Sequence, residues 1–216
     1  MDFILDPVEV RVLGSLVEKE AATPEYYPLT LNALLNACNQ KSNRDPVVAY
    51  DEEAVEGAID RLRGKKLAAV ITGAGLRVPK YRELLTETLN LGRRELAILC
   101  VLMLRGPQTT GELRDRTERL HSFADPEELE SVLQHLMERQ PDPLVTRLPR
   151  QPGTKEPRYA HLLSGEPPAA VPPIAASEAG PARGDRLAAL EAAVRQLREE
   201  MREIREQLAA FRSQFE

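Results

Sequence analysis

The chain has no tryptophan, only two cysteines and three histidines in 216 residues, and 4% aromatic content. Cores without large rings must be built from Leu, Val, Ile and Ala, a palette that suits helices. Cys38 and Cys100 lie far apart in apolar, helix-like settings, so two buried free thiols are expected and not a disulfide framework. His121, His135 and His161 share no ligand spacing with each other or with cysteine; neither a metal site nor a cofactor is expected. The longest apolar run, Leu96 to Leu104, is nine residues, half of what a bilayer requires. The opening segment carries Asp2 and Asp6 where a secretory signal needs basic residues, and Pro7 follows. A cytoplasmic protein with no membrane association is expected. There is no basic excess either. Net charge is −5, which counts against a strongly basic nucleic-acid binder. Enzyme motifs are missing too: Gly73-Ala74-Gly75 is a turn sequence without the lysine-serine pair of a P-loop, and no nucleophile elbow occurs. The expectation is a non-enzymatic protein.

The clearest pattern present is at the end of the chain. Leu187, Leu190, Val194, Leu197, Met201, Ile204, Leu208, Phe211 and Phe215 alternate spacings of three and four residues, an unbroken heptad seam. With Leu187 at position a, Arg186 and Glu200 fall at g, Glu191 and Arg205 at e, as a parallel pair requires. The seam predicts a homodimer through a coiled coil over residues 185–216. The alternative, one amphipathic helix folded back on its own domain, usually shows a broader apolar stripe. Residues 164–184 precede it, rich in Pro and Ala, and read as a flexible linker that can build no core.

Residues 1–163 contain an internal repeat. The first unit opens on a helix from Pro7 to Glu20, the second on one from Arg93 to Arg105. A short helix preceded by threonine follows in each: Thr30 before Leu31 to Ala37, and Thr109 or Thr110 before Glu112 to Leu120. Third helices open on Asp51-Glu52-Glu53 and Asp125-Pro126-Glu127-Glu128, with buried faces through Val55, Ala58, Ile59 and Leu62, and through Leu129, Val132, Leu133 and Leu136. Strand-like sequence comes next: Ala69 to Thr72 with Leu76 to Val78, and Leu144 to Leu148 with a return ending at Arg158-Tyr159. The offset between units falls from 79 residues (Thr30 to Thr109) to 74 (Asp51 to Asp125), which places a longer loop in the first unit. The expected fold is mainly α with small β-hairpins (α+β): tandem winged helices over residues 1–91 and 92–163, then the linker and the coil.

Several runs also carry a resemblance: Thr23-Pro24-Glu25-Tyr26-Tyr27-Pro28-Leu29, Ala37 to Val47 (ACNQKSNRDPV), Leu104 to Arg114 (LRGPQTTGELR) and Arg158 to Glu166 (RYAHLLSGE). In these the chain resembles the YceH-like family of bacterial proteins of uncharacterised function. The resemblance implies the same tandem winged-helix fold and C-terminal coil, and no particular activity.

Winged helices ordinarily place the third helix in the major groove and the hairpin on phosphate or minor groove. Here the third helices open with clustered acid, which opposes such docking; the first becomes basic only at Arg61, Arg63, Lys65 and Lys66. Basic residues gather on the hairpins, at Arg77, Lys80 and Arg82 and at Arg147, Arg150, Lys155 and Arg158. The loop after the second helix carries Asn39, Gln40, Lys41, Asn43 and Arg44. Its amides are candidates for base edges, with Lys41 and Arg44 for phosphates. The alternative is that Asn39 and Asn43 cap a helix end and a turn. Duplex DNA and a protein partner, met by the acidic helices, both stand as candidate partners, with a DNA-associated regulator as the leading expectation.

Overall fold

The computed structural model describes residues 3–73, 75–150 and 156–167. Its first helix, α1 (Pro7–Ala22), starts where the local chemistry demands. The Asp6 carboxylate accepts from the backbone N–H groups of Val8 (2.8 Å) and Glu9 (2.9 Å), and Glu9 accepts the Asp6 N–H at 2.7 Å. Residues Glu9 to Val17 are all buried, so α1 is a central helix packed on several sides.

A 3-10 turn (Pro24–Tyr26) leads to β1 (Leu29–Thr30), α2 (Leu31–Cys38), α3 (Glu52–Gly64), β2 (Ala68–Ile71) and β3 (Lys80–Glu83). Thr30 caps α2 through Ala33 N–H (3.3 Å), and Asp51 caps α3 through Ala54 N–H (2.8 Å). Val55, Ala58, Ile59 and Leu62 are all buried, as the helical period requires. Then come α4 (Leu85–Leu89), α5 (Arg93–Arg105), α6 (Thr110–Thr117), α7 (Pro126–Glu138), β4 (Val145–Arg147) and β5 (Tyr159–His161). The described residues thus form an α+β structure with seven α-helices and two small antiparallel sheets, compatible with winged helices. No helix among them is long and apolar enough to cross a membrane.

The sheets differ from the expected two-stranded hairpins. In the first, β3 is central: β2 pairs with it from Ala68↔Glu83 to Ile71↔Lys80, and β1 pairs on its other side, Leu29↔Tyr81. The return strand begins at Lys80, so Leu76, Arg77 and Val78 belong to the connecting loop, where Gly75 takes φ +102. Pro79, with no N–H to donate, ends that loop. The second sheet repeats the pattern more sparely. Gln108 and Tyr159 exchange backbone bonds (3.0 and 2.7 Å), one residue before the Thr109 cap, as Leu29 meets Tyr81 one residue before Thr30. The repeat therefore extends to a third-strand contact. Helix α4 has no counterpart in the expectation, and α6 ends at Thr117, short of Leu120.

The two halves share one apolar core, with α1 against α5. Gly14 allows the approach: a Cβ there would stand 3.0 Å from Leu104 Cδ2 and 3.1 Å from Met103 Cβ. Cys100 Sγ donates to Gly14 O at this crossing (3.6 Å), and both thiols are buried and unpaired. Burial raises the pKa of Cys38 to about 11. The segment before α1 is tied to the second half by Leu5 N–H on Leu163 O (2.9 Å), and Gly165 of the expected linker lies beside Ile4. The rest of the linker and the whole heptad segment, Leu187 to Phe215, lie outside the described residues.

Candidate nucleic-acid interface

The loop from Asn39 to Asp51 is the longer connection that the falling offset pointed to, and internal bonds define its shape. The Asn39 amide donates to Tyr50 O and accepts Tyr50 N–H, both at 2.8 Å. With both ends of the amide spent on the loop's return, Asn39 is a cap, and its expected contact with a base edge falls away. Asn43 adopts a left-handed φ of 58, and its carbonyl oxygen Oδ1 accepts from Arg105 Nη2 at 2.5 Å.

Arg44 is corrected more firmly. It is 5% exposed, and its guanidinium donates to both carboxylate oxygens of Glu18 (3.1 and 2.6 Å) and twice to Ala37 O. It neutralises a carboxylate of α1 and caps the C-terminal carbonyls of α2, leaving nothing for phosphate. Burial alone would raise the Glu18 pKa; the hydrogen bonds and charge of Arg44 outweigh that and lower it. Gln40 accepts from Arg44 (3.3 Å) and Lys19 (3.4 Å), while Lys41 is exposed.

Three of the four cations at the basic end of α3 are ion-paired, while Lys66 is exposed. Arg61 binds Asp6 (3.0 Å), Arg63 binds Asp60 (2.8 Å), and Lys65 binds the buried Glu9 (2.5 Å). These cations are therefore used within the fold, and the outer face of α3 keeps exposed Glu52, Glu53 and Glu56. Arg77 is exposed in its loop between exposed Leu76 and Val78; Arg147 at the end of β4 and Arg150 beyond it are also exposed. Lys80 is half-buried in β3, and Arg82 is paired with Glu87 (2.7 Å). Arg158 is partly exposed, donates to Pro107 O (2.9 Å) and lies 3.8 Å from Glu112, so it is partnered within the fold while its side chain still reaches solvent. Lys155 lies outside the described residues.

What the structure assembles instead is a cluster spanning both halves. Arg105 at the end of α5, and Arg116 and Arg119 at and beyond the end of α6, line one depression with Asn43 and Glu18. Lys19 on α1 reaches Gln40 of the loop and lies 3.7 Å from Glu18, and exposed Lys41 follows Gln40 in sequence. Burial and the neighbouring charges of Arg116 and Arg44 lower the Arg105 pKa, so these cations repel one another. Carboxylates nearby include Glu18, held by Arg44 and 3.7 Å from Lys19, Glu112 at 3.4 Å from Arg116, and Asp45. In sequence, Arg105, Arg116 and Arg119 show no special spacing; only the α1–α5 packing brings them to the loop. Among the described residues no set of three His, Cys, Asp or Glu side chains is placed to hold a metal ion.

Residues 5–154 match the family model described as a protein of unknown function, DUF480. The chain belongs to this family. It is similar to UPF0502 proteins of Geobacter sulfurreducens (56% identical), Pelobacter propionicus (54%) and Solibacter usitatus (54%), in each case over 100% of both chains. None of those names states an activity, so the reading of this DUF480 chain rests on its own geometry.

Proposed function

We propose that this is a YceH-like tandem winged-helix protein that dimerises through its heptad segment and binds duplex DNA as a non-enzymatic regulator in the cytoplasm. The observation that supports it is the basic depression lined by Arg105, Arg116 and Arg119, with Lys19 and Lys41 on the neighbouring helix and loop; a phosphate backbone would relieve the repulsion between Arg105 and Arg116. The exposed Arg77, Arg147 and Arg150 are secondary contacts, and base reading falls to Asn43 and Gln40 at the rim of the cluster. The acidic α3 and α7 face away from the duplex.

The test is anisotropy on a mixed-sequence duplex at about 50 and 200 mM salt, using the whole chain. Replacing Lys41, Arg116 and Arg119 by Ala should flatten the log–log salt slope by about 0.9 for each phosphate no longer neutralised. Leu197→Asp, which breaks the heptad seam, should lower the mass in light scattering to that of a monomer and weaken DNA binding by loss of tethering. An intact protein that leaves the duplex free at about 50 mM salt would refute the reading.

A second reading has its own support: exposed Glu52, Glu53 and Glu56 on α3 and Glu127 and Glu130 on α7 form acidic faces suited to a basic protein surface. In that case the chain is an interaction scaffold, and cross-linking would map to α3 and α7 and not to the Arg105–Arg119 cluster.

A further inference from the structure

Of the buried cations among the described residues, Arg44 is matched by the Glu18 carboxylate (2.6 Å); half-buried Lys65 is matched by the buried Glu9 (2.5 Å). Arg11 is different. It is 4% exposed, and its two hydrogen bonds go to neutral acceptors, Nη1 to Cys38 O (3.2 Å) and Nη2 to Pro46 O (2.7 Å). Its Nε–H is buried with no partner, and no carboxylate among the described residues forms an ion pair with it. Arg44 beside it adds repulsion, while Asp45 acts on it only through space from an exposed position. A desolvated guanidinium left with neutral partners is costly, and carrying an unmatched positive charge in a folded core calls for a counterion.

Arg11 borders a cavity of about 340 Å³, lined by residues distinct from those of the basic depression. The volume lies in the range of small-molecule sites. Its walls are mostly apolar, with Val10, Val48, Leu102 and Met103, and Tyr50 stands among them. His161 also lines it; burial lowers its pKa to about 4, so the ring is neutral near pH 7 and adds no second charge. Its Nδ1 is buried without a partner as well. Asp45 and Glu166 stand among the lining residues and oppose a multiply charged anion. One unmatched positive charge, apolar walls and this acid specify the occupant's chemistry.

We infer that this cavity is a binding site for a small monocarboxylic acid with an apolar body, its carboxylate set toward Arg11. The inference is independent of DNA binding, because occupancy is read without nucleic acid. The experiment is isothermal titration of the whole protein with a series of monocarboxylates, from butyrate to 4-phenylbutyrate, each paired with its primary amide; inorganic phosphate is run as a further arm. At least one acid is expected to bind saturably and at least about tenfold more tightly than its amide, the margin set by a charge-assisted bond. Phosphate is expected to bind more weakly than that acid. Arg11→Met should erase the preference for acid over amide. Since Arg11 also holds Cys38 O and Pro46 O, Val48→Trp provides a second route: it fills the cavity from its rim, leaves Arg11 in place, and should abolish binding. No saturable binding by any acid, equal binding of acids and amides, tighter binding of phosphate, or a Val48→Trp protein that binds as before would each overturn the assignment.

Discussion

Arg44→Met removes the cation that holds Glu18 while keeping most of the apolar volume of its stem. The wild-type guanidinium makes two bonds to the Glu18 carboxylate and two to Ala37 O, within a side chain that shows no exposure. Its loss leaves a half-buried carboxylate facing a methyl group and strips partners from the end of α2. Breaking one side of such a pair costs about 3–5 kcal/mol. For a chain of this size each kcal/mol corresponds to about 2–4 °C, so the midpoint should fall by about 6–20 °C. The pH dependence separates a lost ion pair from lost packing. In the wild type the Glu18 pKa is lowered, so its stabilisation is complete above the ordinary value of about 4.3 and is lost as pH falls through the folded value. In the variant, burial, which raises that pKa, is opposed only by the charges of Lys19 and Arg119, so the value rises and protonation relieves part of the penalty as pH falls. The difference between the two proteins should therefore be smaller at pH 4 than at pH 7, and Arg44→Met with Glu18→Gln should recover part of the loss. Urea melts at both pH values measure it. A loss below about 1 kcal/mol, or an equal loss at pH 4 and pH 7, would refute the argument.

Gly14→Ala places a methyl group 3.0 Å from Leu104 Cδ2 at the α1–α5 crossing, so the helices must part or Leu104 must leave its rotamer. A destabilisation of about 1–3 kcal/mol in urea is expected, and a neutral result would mean that the crossing is loosely packed. His161 has its folded pKa lowered from 6.5 to about 4 by burial, so its unfolded form binds the proton first. Its contribution is complete above about pH 6.5 and is lost as pH falls toward 4, by up to about 3 kcal/mol. His161→Gln should flatten the stability profile over that window, and an unchanged profile would place the imidazole in contact with water.

Helix starts were legible because their causes are local. Asp6, Thr30, Asp51, Thr109 and Asp125 accept from N–H groups two or three residues on, and the apolar period behind each selects the buried face. The internal repeat was legible for the same reason, down to the paired threonines. Strand limits were less so: β3 starts only at Lys80 because its partners are Leu29 and Thr30 on one side and Ala68 to Ile71 on the other, contacts distant in sequence. The site was decided almost wholly by tertiary structure. Arg44 and Lys41 look alike in a basic loop, yet one is buried against Glu18, 26 residues away, and the other is exposed. Arg61 and Lys65 likewise meet Asp6 and Glu9 from across the fold, while Arg105, Arg116 and Arg119 reach Asn43 and Glu18 only because α5 lies against α1. Capping and amphipathicity act over a turn or two of chain and can be read along it. Which charges are neutralised, and which are left to face a ligand, depends on distances that only packing sets.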